Sequence, residues 1–317
     1  METINGIPVL NISGQPLGKA ASFLPPRLQV ERYVLLPDLG PSKAVLPTGC
    51  VALMDPEKVP DWRKYTISDV GCGIALYSSD LKLEEFEKFK PEWDRILIEI
   101  TGRKGSLGEL GGGNHFLDAV SSQDGRIYFA IHTGSRDEGE RLPELLAAPK
   151  EFDTEFQRIV EWARKNRDTI AGIVGKSAPG LKLVLDKHHN FYESVDDKII
   201  MRKGAVRFHA GELALIPSTM DTDMALVTAK DNVRDILNSI SHGTGRVMSR
   251  GDAKAAFREY DFQALRKRIY IPAAIPDHSM ITENPACYRR IEHCLPLIED
   301  YIEVREFLTP IAYIGQV

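Results

Sequence analysis

Short apolar runs separated by turn residues dominate the first third of the chain. Tyr33-Val34-Leu35-Leu36 and Cys50-Val51-Ala52-Leu53-Met54 bracket a stretch rich in proline and glycine, the pattern of two short strands and a loop. Ile74-Ala75-Leu76-Tyr77 predicts another strand. Residues 83–89 predict a helix stopped by Pro91, and 95–100 read as strand or helix. Arg126-Ile127-Tyr128-Phe129-Ala130-Ile131 is the clearest strand, rich in β-branched and aromatic residues. Over 151–173, Phe152, Phe156, Ile159, Val160 and Trp162 recur at helical spacing and predict a long amphipathic helix whose aromatic side chains pack in the core. Further on, Leu181-Lys182-Leu183-Val184-Leu185 leads into Asp186-Lys187-His188-His189-Asn190. Asp196-Asp197 forms a turn into Ile199-Ile200-Met201, Ala214-Leu215-Ile216 is strand-like, and a helix restarts near Asp252.

Helical and strand periods alternate without a repeat or a low-complexity linker. The pattern predicts one mixed α/β (α+β) domain over 1–317, and its length suffices for a large core. A net charge of -5 and a pI near 6.0 exclude a global basic field for nucleic acid, though not a local basic groove. The stretch from Met1 to Gly6 lacks the basic and apolar regions of a signal peptide, and no apolar run reaches the length of a membrane span, so the expected location is the cytoplasm, away from membranes. Cysteines at 50, 72, 287 and 294 form no CxxC pair, which argues against a zinc ribbon or a disulfide frame. Cys72, flanked by glycines in a polar loop, reads instead as a ligand or a nucleophile.

Gly111-Gly112-Gly113-Asn114-His115-Phe116 is poor core. Three glycines in a row lose much backbone entropy on folding, so they imply a turn with positive φ or a backbone lying against a ligand. Alone, the stretch fits equally a turn beside a hydrogen-bonded structural histidine. Four further islands change that reading: Asp69-Val70-Gly71-Cys72-Gly73, His132-Thr133-Gly134-Ser135-Arg136, Asp186 to Asn190, and Ser241-His242-Gly243-Thr244-Gly245-Arg246. Asp69, Cys72, His115, His132 and one of His188 or His189 offer carboxylate, thiolate and imidazole donors for one or two divalent transition ions. A coordinated cysteine is deprotonated, and its sulfur can bridge two ions. Arg136, the Arg202-Lys203 pair and Arg246 add groups able to hold phosphates and offset charge in phosphoryl transfer; a solvated basic face is the other reading and suits Lys182 better. His242 is the candidate covalent nucleophile, because an imidazole can take up and later release a phosphoryl group. Gly243 and Gly245 leave room for a nucleotide, while a further metal ligand is the alternative role for His242.

With these motifs, and with Arg202-Lys203-Gly204-Ala205 and Glu283-Asn284-Pro285-Ala286-Cys287-Tyr288, the chain resembles the RtcB family of RNA ligases from about Leu36 onward. The resemblance implies a mixed α/β fold peculiar to that family with a central dimetal site, two manganese ions and GTP. It implies that His242 takes up GMP and passes it to an RNA 3′-phosphate, and that a 5′-hydroxyl then attacks; a 2′,3′-cyclic phosphate is first opened by hydrolysis. Carried across, Asp69, Cys72, His115, His132 and His189 are metal ligands, with Cys72 shared. Asn114, Arg202 and Lys203 hold phosphates, and Asp118, Thr219, Gly243 and Gly245 belong to the nucleotide pocket. The implied partner is RNA with 3′-phosphate or 2′,3′-cyclic phosphate and 5′-hydroxyl ends, in tRNA splicing or RNA repair, with an archease-like activator or a release-factor-like partner.

The departures concern the RNA end and the base. The segment between about 73 and 110 is shortened. The family's early Pro-Asp-x-His reads Pro37-Asp38-Leu39-Gly40, and its Gly-Ser-Met loop reads Ser218-Thr219-Met220, with Met224 near the place of a nucleotide-contacting serine. An acidic guanine contact is the shorter Asp118, and the Lys-Gly terminus is replaced by Ile314-Gly315-Gln316-Val317. Two other readings stand beside ligation: a metal-dependent RNA end-processing phosphodiesterase, and a non-catalytic RNA-binding paralogue.

Overall fold

The computed structural model describes residues 2–26, 28–42, 44–66 and 68–315; Met1, Gln316 and Val317, which figure in the reading of the two termini, lie outside the described residues. The class is mixed helix and sheet, as the alternating periods predict. A six-stranded sheet runs in the order Glu2–Ile4, Ile7–Asn11, Arg32–Gly40, Thr48–Met54, Lys198–Lys203, Asn190–Val195. A seven-stranded sheet runs in the order Leu213–Ile216, Met224–Ala229, Ile302–Gly315, Phe116–Ser121, Arg126–Thr133, Gly73–Lys82, Lys182–His188. A ribbon of Ala205–Arg207 and Ser239–Ser241 completes the strands. Ile302–Gly315 therefore sits inside its sheet, antiparallel to Met224–Ala229 on one side and to Phe116–Ser121 on the other.

Local chemistry explains several of these elements. Asp196 and Asp197 both have positive φ (48° and 60°), which the two-residue hairpin between Asn190–Val195 and Lys198–Lys203 demands. The helix Pro149–Gly175 buries Phe152, Phe156 and Ile159 with Tyr33, Trp62 and Tyr192 under the first sheet. Further along it buries Ile170, Ala171 and Val174 with Phe129 and Ile131 under the second. One helix thus ties both cores together. Trp162, expected on its apolar stripe, is only half-buried, whereas Asn166 and Arg167 lie fully buried on that stripe.

Pro91 does not stop a helix. Phe86–Thr101 runs through it, and residues 95–100 belong to the same helix. Proline forfeits one backbone hydrogen bond, but Phe86, Phe89, Trp93, Ile96, Leu97 and Ile100 fall on one buried face, with Trp93 stacked on Phe129 at 6.1 Å. Burial of that face outweighs the lost bond. No helix among the described residues is long and apolar enough to cross a membrane.

Candidate metal centre

Strand register brings the islands together. Gly73 pairs with Thr133 on one side and His188 on the other, and Phe116 pairs with His132. Cys72, His132, His189 and His115 therefore leave four adjacent strands at the same edge of the sheet. The close approach explains a glycine: a Cβ on Gly73 would come within 2.6 Å of the Lys187 carbonyl.

Two overlapping triads result, Cys72 with His132 and His189, and Asp69 with Cys72 and His115, with the donor atoms of each within 4.8 Å of one another. Cys72 Sγ lies 3.3 Å from His132 Nε2 and 3.5 Å from His115 Nε2, and the Nε2 atoms of His132 and His189 are 3.4 Å apart. His132 Nδ1 donates to the Asn114 carbonyl at 2.9 Å, which leaves the Nε2 lone pair facing the cluster. Asn190 ties the loops, its Nδ2 donating to the Asp69 carbonyl and its Oδ1 accepting from Gly204 N.

Burial pushes the imidazoles of His115, His132 and His189 below their ordinary range and the Cys72 thiol above its own, with Asp69 adding to the latter. Neutral imidazoles keep lone pairs available, and a buried thiolate needs a cation beside it. The donor set therefore fits a divalent transition ion. Lys203 reaches the same place, its Nζ donating to the Ser68 carbonyl at 3.2 Å; burial lowers its ammonium, opposed by Asp69 and Cys72.

His242 stands next to this cluster, its ring centroid 4.5 Å from that of His189 and 6.3 Å from that of His132. Its Nδ1 is 2.5 Å from Asp38 Oδ2 and 3.0 Å from the Gly204 carbonyl, so Nε2 is the nitrogen left for chemistry. Asp38 is fully buried, and burial raises its carboxyl while His242 opposes the rise. Gly245 turns with its Cα against the Asp38 backbone, and Gly243 lies against the Pro217 carbonyl. The sequence places Asp38 in the Pro37-Asp38-Leu39-Gly40 motif but gives it no role, which comes from its position against His242.

The glycine turn holds an arginine rather than open space. Gly111 has φ +78°, and a Cβ there would overlap the Arg136 guanidinium. That guanidinium bonds Glu109 at 3.2 Å and approaches His115 Nδ1 at 3.4 Å.

Other expected contacts are not brought to the cluster. Arg202, read beside Lys203 as a phosphate ligand, is fully buried, pairs with Glu193 at 2.6 Å and donates to Ser239 Oγ at 2.8 Å. Neighbouring residues of a strand point to opposite faces, so Arg202 and Lys203 cannot share one task. Asp118 is buried between its paired neighbours Ala130 and Tyr313, with Oδ1 unpartnered and its carboxyl pushed well up by burial. Thr219 spends its hydroxyl on Asp221 and Thr222, each at 2.8 Å. His188 packs behind the cluster, where burial and Arg167 push its imidazole down to about 3.

Comparison with known proteins gives a consistent picture. The family model described as tRNA-splicing ligase RtcB matches residues 154–316, which include His189, Lys203 and His242. The chain is similar to the RNA-splicing ligase RtcB of Escherichia coli K12, 27% identical over 62% of this chain and 58% of that protein. It is similar to RNA-splicing ligase RtcB2 of another Escherichia coli strain, 27% identical over 84% of each. A tRNA-splicing ligase RtcB from Pyrococcus horikoshii is 24% identical over 69% of this chain and 34% of its own length. Against the first of these, the chain spans little more than half the relative's length.

Proposed function

Since the chain belongs to the RtcB family, we propose that it is a GTP- and manganese-dependent RNA ligase, joining RNA 3′-phosphate or 2′,3′-cyclic phosphate ends to 5′-hydroxyl ends. The observation that carries this reading is the juxtaposition of the two triads sharing Cys72 with a histidine whose Nδ1 is held by Asp38.

Asp69, Cys72 and His115 would hold one ion, and Cys72, His132 and His189 a second. Bound manganese would supply Lewis-acid stabilisation of charge on phosphate oxygens. Asp38 and the Gly204 carbonyl fix the His242 ring with its Nδ1–H turned inward, so that Nε2 carries the lone pair. His242 Nε2 attacks the α-phosphorus of GTP, forming a nitrogen–phosphorus bond as pyrophosphate leaves. The GMP then passes to the RNA 3′-phosphate, and the 5′-hydroxyl displaces it. The Asp38 carboxylate balances the positive charge that the imidazole gains in the attack. Lys203, whose ammonium reaches the cluster, and Asn114 would hold phosphates, and Arg136 would brace His115. With Gly40 where the family has histidine and Arg202 turned into the core, contacts to the RNA end are reduced. This favours a specialised RNA substrate.

The test is incubation of the protein with manganese and α-labelled GTP, with ATP in parallel, followed by denaturing separation and peptide mapping. Label from GTP on the peptide containing His242 supports ligation. Label from ATP alone would keep the mechanism and overturn the cofactor. No label from either nucleotide, with metal bound and an archease-like activator added, would replace ligation by end-processing hydrolysis.

A further inference from the structure

The long helix carries a charged side chain with no place in this chemistry. Arg167 is 0% exposed and stands on the buried stripe of Pro149–Gly175. Its Nη1 donates to the carbonyls of Gly71 at 3.1 Å and Thr133 at 2.9 Å, and its Nη2 donates to His188 Nδ1 at 3.1 Å. Its Nε donates to Asp186 Oδ1 at 2.8 Å, and the Asp186 side chain is itself only 8% exposed. Gly71 precedes Cys72, Thr133 follows His132, and His188 precedes His189. One guanidinium therefore grips the chain immediately beside three of the clustered side chains.

Packing does not account for this. A buried ion pair contributes little to stability compared with apolar residues of similar volume, so the stripe would be served as well by a methionine. The surroundings are instead shaped to the guanidinium, since a Cβ on Gly73 would lie 3.1 Å from Arg167 Cζ. Only a planar fork with five donors can reach the two carbonyls, the imidazole and the carboxylate together; a lysine ammonium offers three donors from a single point.

We propose that Arg167 is the positioning residue of the metal centre, locking the backbone beside Cys72, His132 and His189 into one arrangement, with Asp186 holding the guanidinium in place. This rests on the reading that the clustered side chains bind metal. The partners of Arg167 are Asp186, His188 and the carbonyls of Gly71 and Thr133, and its effect is carried by the three loops it joins.

The test is a cobalt(II) titration of the metal-free full chain. The thiolate-to-cobalt absorption band reports on Cys72, and competition with a chelator gives the affinity. Arg167→Lys and Asp186→Asn are compared with wild type, with folding followed by circular dichroism and thermal melting. The expected result is a folded Arg167→Lys variant with cobalt affinity lower by roughly ten- to a hundredfold and a displaced thiolate band. A folded variant with unchanged affinity and band overturns the proposal, even if it melts earlier, because a purely structural role would move only the melting temperature. If Arg167→Lys does not fold, Asp186→Asn decides, and wild-type affinity and band in that variant overturn the proposal. A wild-type chain that binds no cobalt overturns the metal reading itself, which separates the two failures.

Discussion

His242 Nδ1 lies 2.5 Å from Asp38 Oδ2, although 204 residues separate the two in the chain. The pair turns an otherwise ambiguous imidazole into one with a defined tautomer and orientation. It also places a buried carboxylate behind the atom expected to become positively charged.

Asp38→Asn keeps the size of the side chain and removes its charge. The Gly204 carbonyl still accepts from Nδ1, so the tautomer is partly preserved. The rate of covalent labelling by α-labelled GTP should fall by roughly a hundredfold with metal content unchanged, less than when such a carboxylate is the only partner. His242→Ala should abolish labelling and retain the metal. Labelling at the wild-type rate in Asp38→Asn would remove the carboxylate from the mechanism.

Cys72 is common to both triads, so its loss should affect both ions. Metal analysis of purified Cys72→Ala should find less than one ion per chain, against two in the wild type. A variant that keeps two ions would refute the sharing of Cys72.

Asp118 yields a pH dependence. Burial raises its carboxyl well above the usual range, and the unfolded chain ionises it near pH 4. Between that pH and the raised value the folded state holds a proton that the unfolded state has lost, so this residue's contribution to stability declines as pH rises. Asp118→Asn should therefore melt at a higher temperature than wild type at pH 7 to 8, and the advantage should vanish at pH 4. An advantage equal at both ends would mean that the carboxyl is not protonated in the fold.

Gly111 and Gly113 form a matched pair, with φ of 78° and 83°. Alanine at either incurs the left-handed backbone penalty, about 1 kcal/mol. Only at Gly111 would the new Cβ also displace the Arg136 guanidinium, since at Gly113 it meets nothing within 4 Å. Chemical denaturation should show the backbone penalty in both variants and a larger loss in Gly111→Ala, where the Arg136–Glu109 pair is also disturbed. Metal retention should fall in Gly111→Ala alone; equal retention would mean that Arg136 does not brace His115.

Four of the five loops that converge were legible because each sets a metal-capable side chain within two residues of a glycine, a combination that ordinary core has no use for; the fifth, with His188 and His189, has no glycine and was marked by its paired histidines. The Arg126–Thr133 strand was legible from its β-branched and aromatic residues. Other features were hidden for physical reasons. Asp38 reads as a loop residue after Pro37, and only the fold reveals that its strand buries it against His242. Arg167 lies among Lys165, Asn166 and Asp168, where a solvated helix face is the natural expectation. The alternation of side chains along Lys198–Lys203 was available in principle. It separates Arg202 from Lys203 once the strand is known to continue through both, and the sequence marks its apolar part only as far as Met201.

The place of Ile302–Gly315 inside its sheet bears on how the protein is made. A ribosome that has not yet translated residue 302 holds a chain in which Phe116–Ser121, the strand next to His115, has an open side. Until the late strand emerges, Met224–Ala229 has no strand pairing it to Phe116–Ser121, and side-chain packing, as of Met224 and Leu226 with Ile74 and Val120, is what joins the two halves of the sheet. The late strand thus closes the sheet rather than the cluster: the four strands that bring Cys72, His115, His132 and His189 together pair with one another, and translation past residue 302 adds the partner on the far side of Phe116–Ser121.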